Sequence, residues 1–291
     1  MQAKIGIVGG SGLYELEAME NVREVEIDTP FGPTSDKLIL GSFQGIDVAF
    51  VPRHGRGHRH LPKEVPYRAN IYALKKLGVE FVVSVSAVGS LREEFAPGHF
   101  ALPDQYVDRT SGRIQTFFGD GIVSHVSMAD PTSPILRELI EASVKACDIP
   151  LHNKGTYIAM EGPAFSTRAE SELYRQWGMD IIGMTAMPEA KLAREAELRY
   201  ATLALVTDYD CWRIEEEAVS VEAVLAILKQ NTENVKRVLS DLIPRLGKAI
   251  DNGVKCPVTD GAMKFAVITA ADKIPAQKLE DLKPLIGKYV S

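Results

Sequence analysis

Cysteine is scarce in this chain and nowhere paired. Its 291 residues include Cys147, Cys211 and Cys256 only, too few and too far apart for a disulfide framework, and no CxxC spacing offers a structural zinc site. A reducing compartment is expected. Long apolar runs are missing too. No stretch approaches the ~20 residues of a membrane span, and the apolar opening Ile5-Gly6-Ile7-Val8 is cut by Gly9 and Gly10, too short for a signal peptide. A soluble, cytoplasmic protein is therefore expected. Nor is there an excess of positive charge: 33 Lys and Arg against 39 Asp and Glu leave −6, which argues against a nucleic-acid platform. Repeats and low-complexity tracts are absent. What remains is a globular composition, 45% hydrophobic and 25% charged, in a chain long enough to fold without disulfide or metal.

Strand-like and helical segments alternate along the chain. Lys4–Val8 reads as a short buried strand ended by Gly9-Gly10-Ser11-Gly12, and Asp36–Phe43 with Ile46–Val51 reads as a hairpin about Gln44-Gly45. Tyr67–Leu77 carries a helical stripe stopped by Gly78, and the continuous apolar run Phe81–Val85 predicts a strand covered on both faces. Ile135–Cys147 predicts a helix with Ser133 as its cap and Pro134 in the first turn. Beyond it, strands are expected at Thr156–Met160, Asp180–Met184 and Tyr200–Thr207, and helices at Arg168–Trp177 and Pro188–Ala196. A long helix begins near Ser220. This order predicts an α/β fold, a mixed central β-sheet flanked by helices. One domain is expected over residues 1–250, with 251–291 an appendage of it closing in a helix at Leu279–Tyr289.

Several loops carry chemistry. The glycines at 6, 9, 10 and 12 miss the G-x-G-x-x-G spacing, which excludes a dinucleotide fingerprint, yet such a turn with Ser11 can cradle a phosphate. Arg53-His54-Gly55-Arg56-Gly57-His58-Arg59-His60 is the densest cationic run in an acidic chain. It reads as a solvated loop, as a metal site lacking an adjacent carboxylate or cysteine, or as an anion site with Arg53 as a bidentate fork and a histidine as donor. The anion reading is favoured, because the loop follows a strand, where α/β folds place ligands. Ser86-Ala87-Val88-Gly89-Ser90 ends the buried strand in small and hydroxyl residues. Phe165 and Met184 follow two further strands and can pack on a ring and a sugar. Asp208 and Asp210 stand two residues apart at the end of an apolar strand beside aromatics, a pair suited to acid chemistry or to recognising an amino-bearing ring.

Eight segments in order, GIVGGSG, DTPFG, RHGRGH, YRANIYALK, GSLREE, EGPAFSTRAE, MTAMPEAKLAREA and TDYDCW, resemble the purine nucleoside phosphorylase superfamily over about residues 4–246, and within it the 5′-methylthioadenosine phosphorylases. The resemblance implies phosphorolysis of 5′-methylthioadenosine to adenine and 5-methylthioribose 1-phosphate, in purine and methionine salvage. It implies a phosphate shell of Ser11, Arg53, His54, Ser86, Thr185 and the Ala87 N–H. Phe165 would pack on the purine and Met184 against the ribose. Asp208 would donate a proton to N7 and Asp210 accept from the 6-amino group. Val221 and Val224 would line the 5′ pocket, joined by His125 from a neighbouring subunit of a homo-oligomer, a trimer or a hexamer of trimers. Phosphate would be a co-substrate; no metal or other cofactor is implied. Two rivals stand beside this reading: a phosphorylase for 6-oxopurines such as methylthioinosine or inosine, which Asp210 suits less well, and a nucleoside-binding protein without catalysis.

Overall fold

The computed structural model describes residues 2–10, 13, 19–213 and 221–290, and of 221–226 the backbone alone. Four strands come first: β1 (Ile5–Gly9), β2 (Met19–Val25), β3 (Leu38–Phe43) and β4 (Ile46–Pro52). After α1 (Tyr67–Lys76) come β5 (Phe81–Ser90), β6 (Phe100–Ala101) and β7 (Gln105–Arg109). Next are α2 (Pro134–Ala146), β8 (Leu151–His152), β9 (Thr156–Met160), α3 (Arg168–Gln176), β10 (Ile181–Gly183), α4 (Ala186–Glu195) and β11 (Arg199–Asp208). The chain closes with α5 (Val221–Asp251), α6 (Ala276–Asp281) and α7 (Lys283–Ile286). No helix among the described residues is long and apolar enough to cross a membrane.

The strands form one mixed sheet whose main path is β2-β3-β4-β1-β5-β10-β9-β7, with β11 on β5 and β6 and β8 beyond it. The β3–β4 hairpin turns through Gln44 and Gly45, both at positive φ, the backbone a two-residue turn of this hand requires. β1 and β5 run parallel, as do β5 and β11, and apart from the exposed Ala87 of β5 their apolar side chains are buried on both faces. Ile71 and Leu74 of α1, Ala190 of α4 and Leu285 of α7 share the core on one side. Leu136 and Ile140 of α2 and Leu239 and Leu242 of α5 fill the other. Ser133 caps α2 as its position suggested, accepting from the Leu136 N–H.

β5 is the hub of the sheet. One edge carries β11 from Phe81 to Gly89. The opposite edge is divided: β1 takes Phe81–Ser84 and β10 takes Gly89–Ser90. Between them, on that edge, no strand among the described residues lies beside the backbone of Val85–Val88, and there the sheet opens.

Four strands escaped the sequence pattern, and one expected helix is interrupted. β2 and β7 end the main path of the sheet and bury little, so they lack the apolar alternation that marks a strand, and β6 and β8, at two residues each, are too short to show a period. The expected closing helix at Leu279–Tyr289 is instead two short helices meeting at Leu282. Pro284 is the cause: without an N–H, and with its ring against the carbonyl of residue 280, it starts a helix but cannot continue one.

α4 ends on a buried carboxylate. Glu195 accepts from the Thr116 hydroxyl (2.6 Å) and the Phe117 N–H (2.8 Å), yet burial pushes its pKa from the ordinary 4.5 up to about 7. Because the folded value lies above the unfolded one, the native state holds the extra proton, and stability falls as pH rises from about 4.5 to about 7. A shift of this size is worth about 3 kcal/mol. Glu195→Gln keeps the shape without the charge, so its urea midpoint should exceed that of the parent at pH 8 and match it near pH 4.5. A difference independent of pH would remove Glu195 from this role.

Candidate active site

Arg53 leaves the end of β4 and enters the opening in β5. Its Nη1 donates to the Val85 carbonyl at 2.9 Å, and its Nη2 donates to Ser84 Oγ at 2.7 Å and the Val8 carbonyl at 3.3 Å. Nε and Nη2 face Glu189 of α4, at 2.9 Å from Oε2 and 3.2 Å from Oε1, and Arg53 is 2% exposed. The fork expected to grip a phosphate is therefore turned on a carboxylate. One hydrogen on Nη1 is left for an anion. Glu189 in turn accepts from Ser84 Oγ (2.5 Å) and the Tyr200 hydroxyl (3.0 Å), so both charges are paired and hydrogen-bonded, as burial demands.

Around this pair stand the other anion-type groups. Backbone groups of alternate residues in a strand face the same edge, so Ala87, two beyond Val85, presents its N–H to the opening. Ser86 Oγ lies 3.2 Å from Thr185 Oγ1. Thr185 occupies the N-cap of α4 but makes no capping bond, which leaves its hydroxyl for Ser86 and a ligand. His54 differs from expectation. Its Nδ1 lies 2.9 Å from the His60 carbonyl, which places the proton there, and burial pulls the imidazole down to about 4. A neutral ring so arranged has a lone pair at Nε2 and acts as an acceptor, not as the expected donor. Ser11 lies outside the described residues.

The carboxylate pair comes from the end of the neighbouring strand, β11, and the turn after it. The register of β11 against β5 shifts between Val206 and Asp208, a bulge that re-aims the residues beyond it. Asp208 Oδ1 accepts from the Asp210 N–H (2.8 Å) and Oδ2 from the Thr207 hydroxyl (2.7 Å). Asp210 has φ of 52°, and its Oδ2 is buried without a hydrogen-bond partner among the described residues. Burial, and then the charge of Asp208, push the Asp210 carboxyl up. Both lie over Gly89, where a Cβ would come within 3.0 Å of Asp208 Oδ1 and 3.5 Å of Asp210 Cβ.

Two loops close the cleft. Met184, after β10, packs on Gly162, whose Cβ would stand 2.5 Å from its Sδ. Phe165 is 84% exposed, and the bond from Cys211 Sγ to the Ser166 carbonyl ties its loop to the Asp210 end. Gly183 admits no side chain, because a Cβ would meet the Tyr157 hydroxyl at 2.0 Å. His125 is exposed and stands apart; its N–H bonds Ala266, in the C-terminal segment. Val221 and Val224 begin α5, but their side chains lie outside the described residues. Among the described residues, no three His, Cys, Asp or Glu side chains converge as metal ligands would.

Sequence reasoning passed over Glu189 and Ser84. Each carried a signal, a polar residue inside a segment otherwise patterned for burial: Glu189 among Ala186, Met187 and Ala190, and Ser84 within Phe81–Val85.

The profile of the phosphorylase superfamily matches residues 4–244. The chain is 51% identical over 291 residues to the S-methyl-5′-thioadenosine phosphorylase of Geobacter sulfurreducens, each covered in full. It is 54% identical over 245 residues to that of Thermofilum pendens, covering 84% of this chain and 93% of the relative. Among solved structures, a methylthioadenosine phosphorylase from an antarctic soil metagenomic library gives a TM-score of 0.92 at 49% identity, over 98% of this chain and 99% of that one. The methylthioadenosine phosphorylase of Schistosoma mansoni in complex with adenine gives 0.81 at 35% identity, over 90% and 99%.

Proposed function

The chain belongs to the phosphorylase superfamily, and from that footing we propose that it cleaves 5′-methylthioadenosine with phosphate, giving adenine and 5-methylthioribose 1-phosphate. One observation carries the reading. Anion-type groups from several separate segments meet at the open edge of β5, and a carboxylate pair stands over Gly89, about 7 Å farther along at two residues of strand rise. A nucleoside laid between them has its C1′ above the anion and its base at the acids.

Breaking the C1′–N9 bond puts negative charge on the purine and positive charge on the sugar. Phosphate, held by Arg53 Nη1, the Ala87 N–H, Ser86, Thr185 and Ser11, stabilises the sugar cation and bonds to C1′. The electron pair of the glycosidic bond passes to the base, and Asp208 delivers a proton to N7. His54 accepts the P–OH hydrogen of hydrogen phosphate at Nε2, the one role its tautomer permits. Asp210 Oδ2, buried and unbonded, accepts from the 6-amino group; a 6-oxo ring would set an acceptor against it. Phe165 covers the base and Met184 the ribose. Val221 and Val224, with His125 from a neighbouring subunit of a cytoplasmic homo-oligomer, take the methylthio group. Phosphate is the co-substrate, and the steps ask for no other cofactor.

Purified protein should release adenine from 5′-methylthioadenosine only when phosphate is present. It should prefer that substrate to adenosine by about 10–200-fold in kcat/KM, the range an apolar pocket achieves for so small a difference. Adenine release without phosphate would make it a hydrolase. Activity confined to methylthioinosine would favour the 6-oxopurine reading.

A further inference from the structure

Arg113 belongs to none of the motifs above and sits between β7 and α2, yet its side chain is 1% exposed and donates in every direction. Nε reaches Glu161 Oε2 at 3.0 Å, and Nη2 reaches the Glu161 carbonyl at 2.6 Å and that of Met160 at 3.4 Å. Nη1 reaches the carbonyls of Met184 at 2.6 Å and Met187 at 2.9 Å, and the Tyr67 hydroxyl at 3.3 Å. Glu161 Oε2 also accepts the Ser111 N–H at 2.8 Å, which holds the arginine's own loop in place.

These partners are not scattered. Met160 ends β9, and Glu161 after it leads into Gly162–Phe165, the loop assigned to the purine. Met184 is the residue assigned to the ribose, and Met184 and Met187 bracket Thr185, assigned to phosphate. β9 and β10 are parallel neighbours, paired from Tyr157 opposite Ile181 to Ala159 opposite Gly183, and among the described residues no ladder joins the two segments past these ends. Carbonyls there need donors once buried, and a planar guanidinium, with donor nitrogens on two sides, spans both loops at once, whereas an ammonium gathers its three donors on a single nitrogen.

We propose that Arg113 is a positioning residue, which locks the purine loop and the ribose–phosphate loop in one relative placement. The inference rests on the function assigned to those loops above. It gives Arg113 no contact with substrate; it acts through Met160, Glu161, Met184 and Met187.

The test uses the full-length protein with Arg113→Gln and Arg113→Lys. A displacement of about 1 Å at reacting groups costs on the order of 10²-fold, so kcat/KM for 5′-methylthioadenosine should fall about 10–100-fold in Arg113→Gln. Most of the loss should lie in KM for the nucleoside. Lysine keeps the charge but reaches one loop only, so Arg113→Lys should regain melting temperature without regaining KM. An unchanged KM in folded Arg113→Gln, or full recovery of KM by lysine, would overturn the proposal. Hydrogen exchange supplies an arm that needs neither turnover nor the glutamine variant. Adenine with phosphate should protect residues 160–166 and 184–187 together in the parent, and both should exchange faster in unliganded Arg113→Lys. Segments that respond separately would overturn the coupling. If the parent fails to release adenine at all, the assigned activity fails, while exchange in the unliganded protein still decides whether Arg113 couples the loops.

Discussion

Asp208→Asn should lower turnover of 5′-methylthioadenosine by at least about 10²-fold, the lower end of what a general acid contributes, equivalent to roughly 3 kcal/mol in the barrier. The surroundings of Asp208 make this a clean experiment. Its Oδ1 takes the Asp210 N–H, a bond the asparagine carbonyl preserves. Its Oδ2 faces the Thr207 hydroxyl, which can turn to accept from an amide and give its own hydrogen to the Val88 carbonyl, already 3.2 Å away. The fold should therefore tolerate the change, and the urea midpoint should stay close to that of the parent. An amide can still bond N7 but has no proton to give. Nucleosides whose leaving group departs without protonation should consequently lose much less. Measuring both substrate types decides the matter: an equal fall for the two would make Asp208 a binding residue.

Arg53→Ala should hurt stability and phosphate binding together, for separable reasons. The substitution leaves the Glu189 carboxylate buried at 2% exposure with no cation beside it. Breaking a buried pair in this way costs about 3–5 kcal/mol, because the remaining charge is uncompensated. Loss of a charge-assisted bond to the anion, worth about 1.5–3 kcal/mol, should raise KM for phosphate roughly 10–150-fold, and KM for nucleoside far less. Removing both charges, as Arg53→Met with Glu189→Leu, separates the two effects. A well-packed apolar pair is often as stable as the ion pair it replaces, and Tyr200 retains Thr202 as a partner at 3.1 Å. Most of the stability should return while KM for phosphate stays high. Unfolding in urea and phosphate titrations of the single and double variants check this. A double variant with normal phosphate KM would mean that Arg53 acts only by neutralising Glu189.

Much of the fold was legible in the order of residues, because burial writes itself locally. A strand covered on both faces must be apolar throughout, as Phe81–Val85 is, and a helix against a sheet must repeat its apolar residues every turn, as Leu136, Ile140 and Val144 do. Turn chemistry is local in the same sense, which is why Gln44-Gly45 and the Ser133 cap could be placed. Elements with little to bury carried no such mark, and β2 and β7 went unseen. The candidate site was legible as residue types in loops after strands: a cationic run, hydroxyls, a carboxylate pair.

Their pairing was not. Glu189 meets Arg53 across 136 residues of chain and Arg113 meets Met184 across 71, distances over which sequence holds no periodic trace of contact. The opening in β5 arises because β1 ends before β10 begins along one edge, a fact of sheet topology alone. His54 became an acceptor through a single carbonyl, that of His60, and the proton it shares is set by a fold in the loop rather than by the residue. Side-chain type decides which chemistry is available to this protein; the tertiary structure decides which donors are already spent, because a buried polar group must satisfy its neighbours before it can serve a ligand.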